Sequence, residues 1–127
     1  MVVVDEALAP GLAANAAAVM ALTLGTKVPA MVGEEFTDGA GERHPGLITT
    51  GLPVLRAAAD ELPALRARAI EAQVGVIGFP RSGQTTTDYD HFRALVAETA
   101  APDYLGLAFY GDGKQVRRLT GSLGLLR

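Results

Sequence analysis

Apolar positions are densest between Pro10 and Gly25, in the segment PGLAANAAAVMALTLG. Asn15 is the only strongly polar side chain in this segment before Thr23. Because a helix without a polar face is typically buried, the pattern predicts a helix that packs against a sheet with most of its side chains buried. The short β-branched run 2–4 precedes it, and a strand followed by a buried helix begins an α/β unit.

The rest of the chain alternates apolar runs of strand length with segments of helical periodicity. We predict strands at 52–55, 74–79 and 104–110, and helices within 60–72, 89–99 and 114–122. Asp60 and either Thr87 or Asp88 are the expected N-caps, and Gly25 is the expected end of the first helix. Residues 28–51 combine turn signals with a short edge strand at 28–36, to which 47–50 pairs back as a hairpin. This order predicts an α/β fold whose parallel or mixed sheet is covered by helices on both faces.

Length and composition narrow the possible functions. A chain of 127 residues predicts one domain, residues 1–127. Cysteine is absent, which excludes disulfides, thiolate metal sites and a thiol nucleophile. His44 and His91 lack a paired ligand spacing, so we expect no metal and no cofactor.

Charge and hydropathy bear on the partners. The formal net charge of −3 argues against strong binding of nucleic acid, which usually requires a basic stripe. The N-terminus shows no signal-peptide pattern, and the longest apolar run, 12–24, is too short to span a membrane. We therefore expect a cytoplasmic protein without membrane association.

Two positions on the first helix are candidates for a site. Gly11 lies at the helix N-terminus directly after a strand, where free N–H groups favour anions; alternatively, Pro10-Gly11 merely begins the helix. Asn15 needs hydrogen-bond partners within an apolar helix, and these are either a neighbouring loop or a ligand.

Further polar candidates follow the predicted strands. Gln84 and Thr85 come after the strand at 74–79, so they either face the same sheet edge as Gly11 or form a polar loop. His44, in a turn before Pro45, is either a general base or a surface residue. No dinucleotide fingerprint and no nucleophile elbow accompany these residues.

Three stretches carry a resemblance to a known family: VVVDEALAPGLAANAAAVMALTLG, HPGLITTGLPVLRA and RRLTGSLGLLR. They resemble an uncharacterised bacterial family of domains of unknown function, which is similar in fold to peptidyl-tRNA hydrolase II. The resemblance implies a mixed, mainly four-stranded sheet between helices with a small extra hairpin, often as a dimer. It also implies that Asn15 corresponds to a glutamine, and Thr120 to a threonine, of the hydrolase family.

The chain departs from the hydrolase pattern at two points. The turn before the first helix, at 8–11, has no lysine, and Arg81 stands where that family has an acidic residue. We therefore expect weak or no tRNA binding, because affinity for nucleic acid scales with the phosphates neutralised.

Together these observations predict a small-ligand pocket at the N-terminus of the first helix, in a protein that forms a homodimer. Asn15 and His44 are the catalytic candidates, and the ligand-binding candidates are Gly11, Gln84, Thr85 and Thr120. One alternative is a peptidyl-tRNA hydrolase that cleaves the peptide–tRNA ester. Another alternative is a non-catalytic interaction module.

Overall fold

The computed structural model of the protein describes residues 1–127. Strands and helices alternate along the chain, with one short 3₁₀ turn at Pro29–Met31. In chain order the elements are β1 (Val2–Asp5), α1 (Pro10–Lys27), β2 (Phe36–Thr37), β3 (Arg43–His44), β4 (Val54–Ala57), α2 (Glu61–Glu71), β5 (Gly75–Pro80), α3 (Ser82–Thr85), α4 (Tyr89–Ala97), β6 (Tyr104–Tyr110) and α5 (Gly113–Thr120).

The main sheet has four strands in the order β4-β1-β6-β5. β1 pairs parallel with β4 and antiparallel with β6, and β6 pairs antiparallel with β5. The strands β1, β4 and β5 therefore run in one direction, and their carboxyl ends meet at one edge of the sheet. β2 and β3 form a separate two-stranded hairpin. The predicted α/β fold, with its mixed four-stranded sheet and small extra hairpin, is confirmed.

Helices cover both faces of this sheet. β6 lies inside the sheet, and its first six residues are all buried, as expected for a strand covered on both faces. α1 covers one face with Ala13, Ala16 and Met20, which pack with Val2, Val4, Phe79, Leu105 and Ala108. α2 and α5 cover the other face with Leu62, Leu65, Ala69, Val116 and Leu119, which pack with Val3, Leu107 and Phe109.

β6 contains a β-bulge where it pairs with the end of β5. Phe79 pairs with Gly106 and Pro80 with Tyr104, so Leu105 is the extra residue. A Cβ at Gly106 would lie 2.7 Å from both the Met20 side chain and the Val3 carbonyl oxygen. Glycine at this position therefore lets α1 approach the sheet closely.

The prediction that most side chains of α1 are buried is wrong. Its buried residues are Ala13, Ala16, Met20 and Leu24, which form one stripe at helical spacing. Leu12, Val19 and Leu22 are exposed. Because alanine and leucine lie on all sides of this helix, hydropathy cannot distinguish the packed face from the others.

Several predicted boundaries change. α1 continues past Gly25 to Lys27, because Gly25 remains helical. The predicted edge strand at 28–36 is instead a 3₁₀ turn with a single bridge from Val32 to Ile48, and the hairpin pairs 36–37 with 43–44. The strand predicted at 52–55 lies at Val54–Ala57.

The two predicted N-caps have different outcomes. Asp88 caps α4 by accepting the His91 N–H at 2.7 Å, as predicted. Asp60 makes no capping hydrogen bond, because its backbone is already helical; Glu61 instead accepts the Ala58 N–H at 3.1 Å. None of the helices combines the length and apolar character that a membrane span requires.

Candidate functional site

A groove of about 340 Å³ opens between the middle of α1, the outer strand β5 and the segment that leads from α3 into α4. This volume lies within the usual range of small-molecule pockets. The groove is lined by Val19, Met20, Thr23, Ile77, Gly78, Phe79, Pro80, Gly83, Thr86, Thr87, Asp88, Tyr89 and Phe92. We refer to this site as the α1–β5 groove.

The floor of the α1–β5 groove is apolar. Met20 and Phe79 are buried members of the core on the α1 side of the sheet, and Ile77 packs against that core. A Cβ at Gly83 would lie 2.7 Å from the Phe79 ring and 3.3 Å from the Phe92 ring. Glycine therefore lets α3 pack directly on these rings, which closes one end of the floor.

The rim of the groove is polar but carries no positive charge. Asp88 is the only charged residue among those that line it. The hydroxyl groups of Thr87 and Tyr89 make no hydrogen bond within the protein, so they are available to a ligand. Without a lysine or arginine, the groove offers no charge-assisted donor to a phosphate or carboxylate. The lining favours a neutral or cationic ligand with an apolar part.

Gly11 and Asn15 lie outside this groove, on the exposed part of α1. Asn15 is exposed and makes no side-chain hydrogen bond within the protein, so its amide does not bond to a neighbouring loop. The N-terminus of α1 has no side-chain cap. The catalytic and ligand-binding roles predicted for these two residues stay predictions.

His44 lies on β3 in the hairpin, away from the residues of the groove. Its Nε2 is 3.0 Å from Asp38 Oδ2, and its ring stacks on Phe36 with centroids 5.1 Å apart. The contact with His44 and backbone N–H groups of the turn lower the pKa of Asp38 below its usual value. His44 therefore has a partner within the hairpin, and its predicted role as a general base stays a prediction.

Gln84 and Thr85 lie on α3, directly after β5, but do not line the groove. The Thr85 hydroxyl donates to the Ser82 carbonyl at 3.1 Å within α3. The Gln84 Nε2 atom is buried and has no hydrogen-bond partner. Thr120 is buried near the end of α5, where its hydroxyl donates to the Val116 carbonyl at 2.9 Å and lies 2.9 Å from Met1 Sδ. The structure thus does not bring the six predicted residues into one pocket.

A cluster of charged residues at the carboxyl edge of the sheet was missed by the sequence reasoning. Asp5, at the end of β1, is only 4% exposed, and its Oδ1 accepts the Ala7 N–H at 2.9 Å. Arg81 Nε donates to Asp103 Oδ2 at 2.6 Å, and Arg81 Nη2 lies 4.0 Å from Asp5 Oδ2. The Asp103 carboxylate raises the pKa of Arg81 above its usual value.

This cluster joins the end of β5 to the end of β1 and the start of β6. Because Asp103 and Asp5 both face the Arg81 guanidinium, its charge is already compensated within the protein. The cluster is thus a poor receptor for an anion. An acidic residue at the end of a buried strand was the signal that could have indicated it. No group of three or more potential metal-ligating residues forms anywhere in the chain.

Comparisons with known proteins agree with this fold and do not indicate an activity. A structure of the protein of unknown function Atu0240 from Agrobacterium tumefaciens strain C58 is similar, with a TM-score of 0.90. The two are 20% identical, and the match covers 98% of this chain and 93% of that chain. No curated protein sequence matches this chain. The family model described as protein of unknown function (DUF2000) matches residues 1–127, and the chain therefore belongs to the DUF2000 family.

Proposed function

We propose that this protein binds a small molecule, or part of one, that is apolar and neutral or cationic, in the α1–β5 groove. One observation carries the proposal: an apolar floor of Met20, Ile77 and Phe79 lies beneath a rim whose only charged residue is Asp88. Convergent apolar side chains with a few polar groups at the rim are typical of small-molecule sites. The proposal moves the predicted pocket from the N-terminus of α1 to its middle.

A relationship in fold to peptidyl-tRNA hydrolase II is part of this proposal. The mixed four-stranded sheet between helices is consistent with it. No observation favours the hydrolase reaction. The turn at 8–11 has no lysine, and Asp103 and Asp5 compensate the charge of Arg81. We therefore propose a ligand other than tRNA.

We also propose that the protein forms a homodimer through the outward face of α1. This face carries four exposed residues, Gly11, Asn15, Ala18 and Leu22. Their spacings of four, three and four residues place them on one side of the helix. No charged residue occurs from Pro10 through Thr26, so two copies can meet there without burying a charge. Val19 and Thr23 flank this face, so the contact leaves the groove open.

The proposed ligand class can be tested with three probes that share one apolar tail. Hexanamide, hexylammonium and hexanoate carry a neutral, a cationic and an anionic head group respectively. Small ligands of this size bind weakly, so NMR titration of the ¹⁵N-labelled protein is the suitable assay. We expect the first two probes to shift the backbone resonances of Ile77 and Phe79, and hexanoate to shift them much less.

A matched pair of variants tests the location. Val19 lines the groove and is 41% exposed, so Val19→Trp is expected to fill it and abolish the shifts. Ala14→Trp places the same ring at an exposed position of α1 outside the groove and is expected to leave binding unchanged. Equal binding of hexanamide by both variants, or shifts confined to residues outside the groove, would contradict the proposal.

A further inference from the structure

The outer edge of β5 is an unpaired strand edge. Met1 and Phe109 exchange main-chain hydrogen bonds, so Phe109 directs its N–H and C=O groups toward β1. Since alternate residues of an antiparallel strand face opposite neighbours, Ala108 and its counterpart Ile77 face each other instead. Val76 must then direct its N–H and C=O away from the sheet.

Gly78 follows the same alternation and also faces outward. It is exposed, and Val76 is half-buried. Neither residue makes a main-chain hydrogen bond outside the β5–β6 ladder. Two donors and two acceptors therefore stand in a row along this edge, about 7 Å apart from residue to residue.

The opposite edge of the sheet, formed by β4, is covered by other backbone. There the C-terminal segment lies along β4, with the Arg56 N–H donating to Gly124 at 2.9 Å and the Leu126 N–H donating to Val54 at 3.0 Å. The chain thus covers one sheet edge with its own backbone and leaves the other uncovered. Natural proteins commonly cover or block an edge strand, so the uncovered one is notable.

The uncovered edge runs along the α1–β5 groove, since four consecutive residues of β5, Ile77–Pro80, line the groove. A strand added antiparallel to this edge would place the residue opposite Ile77 with its side chain on the α1 side of the sheet. That is the side on which the groove opens. A single extended ligand can therefore pair with these backbone groups and place a side chain in the groove.

We propose that the occupant of the α1–β5 groove is an extended peptide segment that adds to β5 as a fifth strand. This inference rests on the proposed function and names its ligand class. Main-chain hydrogen bonds to Val76 and Gly78 provide affinity, and one apolar side chain in the groove provides selectivity, as in other cases of strand addition. Pro80 has no N–H and limits the paired segment to about five residues.

Charge at the rim favours a foreign peptide over a second copy of this chain. Asp88 lines the groove, whereas no basic residue lines it. Asp90, on the adjacent first turn of α4, is already paired with Arg93 at 3.6 Å. Two β5 strands paired edge to edge would bring the Asp88 carboxylates of both copies to the same face of the joined sheet. A peptide with lysines flanking one apolar residue is complementary to this rim instead.

The test uses the acetylated and amidated peptide Lys-Thr-Leu-Thr-Lys with the whole protein. In the antiparallel register the leucine lies opposite Ile77, and the two threonines direct their main-chain groups toward Val76 and Gly78. N-methylation of both threonines removes the donors that face β5, whereas N-methylation of the leucine modifies a group that faces away. We expect the first modification to weaken binding about tenfold or more and the second to leave it within about threefold.

Backbone exchange provides the second readout. Bound peptide is expected to slow hydrogen exchange of the Val76 and Gly78 amides selectively. Val76→Pro removes an outward donor without removing a bond to β6, and Val76→Ala is the matched control because it loses the same side chain but keeps the N–H. Val76→Pro is expected to weaken peptide binding about fivefold or more relative to Val76→Ala, and to leave hexanamide binding unchanged.

The outcomes separate the two proposals. If hexanamide binds while the peptide and its threonine-methylated form bind equally, the groove proposal stands and strand addition is wrong. Absence of hexanamide binding, with the Val76 and Gly78 amides still protected by the peptide, would refute the groove proposal alone. If these amides are already protected from exchange in the free protein, and this protection rises with protein concentration, then a second copy occupies the edge and the inference is overturned.

Discussion

Truncation of Met20 tests how α1 is oriented on the sheet. Met20 is 0% exposed, packs on the sheet and forms part of the groove floor. Met20→Ala removes three heavy atoms, worth about 2.4 kcal/mol at about 0.8 kcal/mol per buried group. The void adds to this loss, but it opens onto the groove, where water can enter. We therefore expect a loss of about 2–3 kcal/mol, the lower part of the range for such substitutions.

Leu22→Ala is the matched control on the same helix. Leu22 is 77% exposed, so its truncation is expected to change the unfolding free energy by no more than about 0.5 kcal/mol. Urea denaturation followed by circular dichroism measures both values, and Met20→Ala should lower Tm by about 10 °C. Equal losses for the two variants at low protein concentration would refute the assigned orientation of α1.

Three further predictions concern other parts of the molecule. Gly106→Ala should lower the unfolding free energy by about 2 kcal/mol, because its Cβ would lie 2.7 Å from the Val3 carbonyl oxygen; urea denaturation measures this, and an unchanged midpoint would contradict it. His44→Ala should raise the pKa of Asp38 toward its usual value, as followed by carboxyl NMR titration. The lowered pKa of Asp38 stabilises the folded protein at pH values above the unfolded-state pKa, and this stabilisation is lost as the pH falls through the folded-state pKa. The variant lacks this contribution, so its stability should fall less on acidification. An unmoved Asp38 titration would refute the assigned contact. Leu22→Glu should convert the proposed dimer to a monomer in sedimentation velocity, and a monomeric parent protein at high concentration would contradict the dimer.

The strands were the most predictable part of the fold. Apolar runs at 2–4, 74–79 and 104–110 coincide closely with β1, β5 and β6, because strands covered on both faces need apolar residues at nearly every position. Helix α4 was also predictable, since Asp88 is a strong local N-cap signal and functions as one.

The region from 28 to 51 was less predictable. Its pairing depends on which short segments meet in space, and the two-residue strands 36–37 and 43–44 have no apolar alternation to indicate them. The order of strands in the sheet is equally a property of tertiary packing. The four-stranded sheet was expected only through the family resemblance.

The candidate site was hardest to predict because its location depends on which surfaces remain uncovered. Asn15 was singled out on the assumption that α1 is buried on all sides, but 11 of the 18 residues of this alanine-rich helix are exposed. The groove instead arises where the edge strand β5 meets α3 and α4, and no local motif in the sequence indicates a strand at the edge of a sheet. At the groove, the packing requires a glycine at position 83, because α3 approaches the Phe79 ring too closely for a side chain.

Intermolecular nuclear Overhauser effects between the probe and the protein test whether a small ligand with an apolar part occupies the α1–β5 groove. With hexanamide in excess over the labelled protein, we expect contacts from the terminal methyl of the probe to the side chains of Val19, Ile77 and Phe79. Val19→Trp should remove these contacts, and Ala14→Trp should retain them. Contacts of the probe only with residues outside the groove, or no contacts at concentrations that saturate the shifts, would contradict binding in the groove.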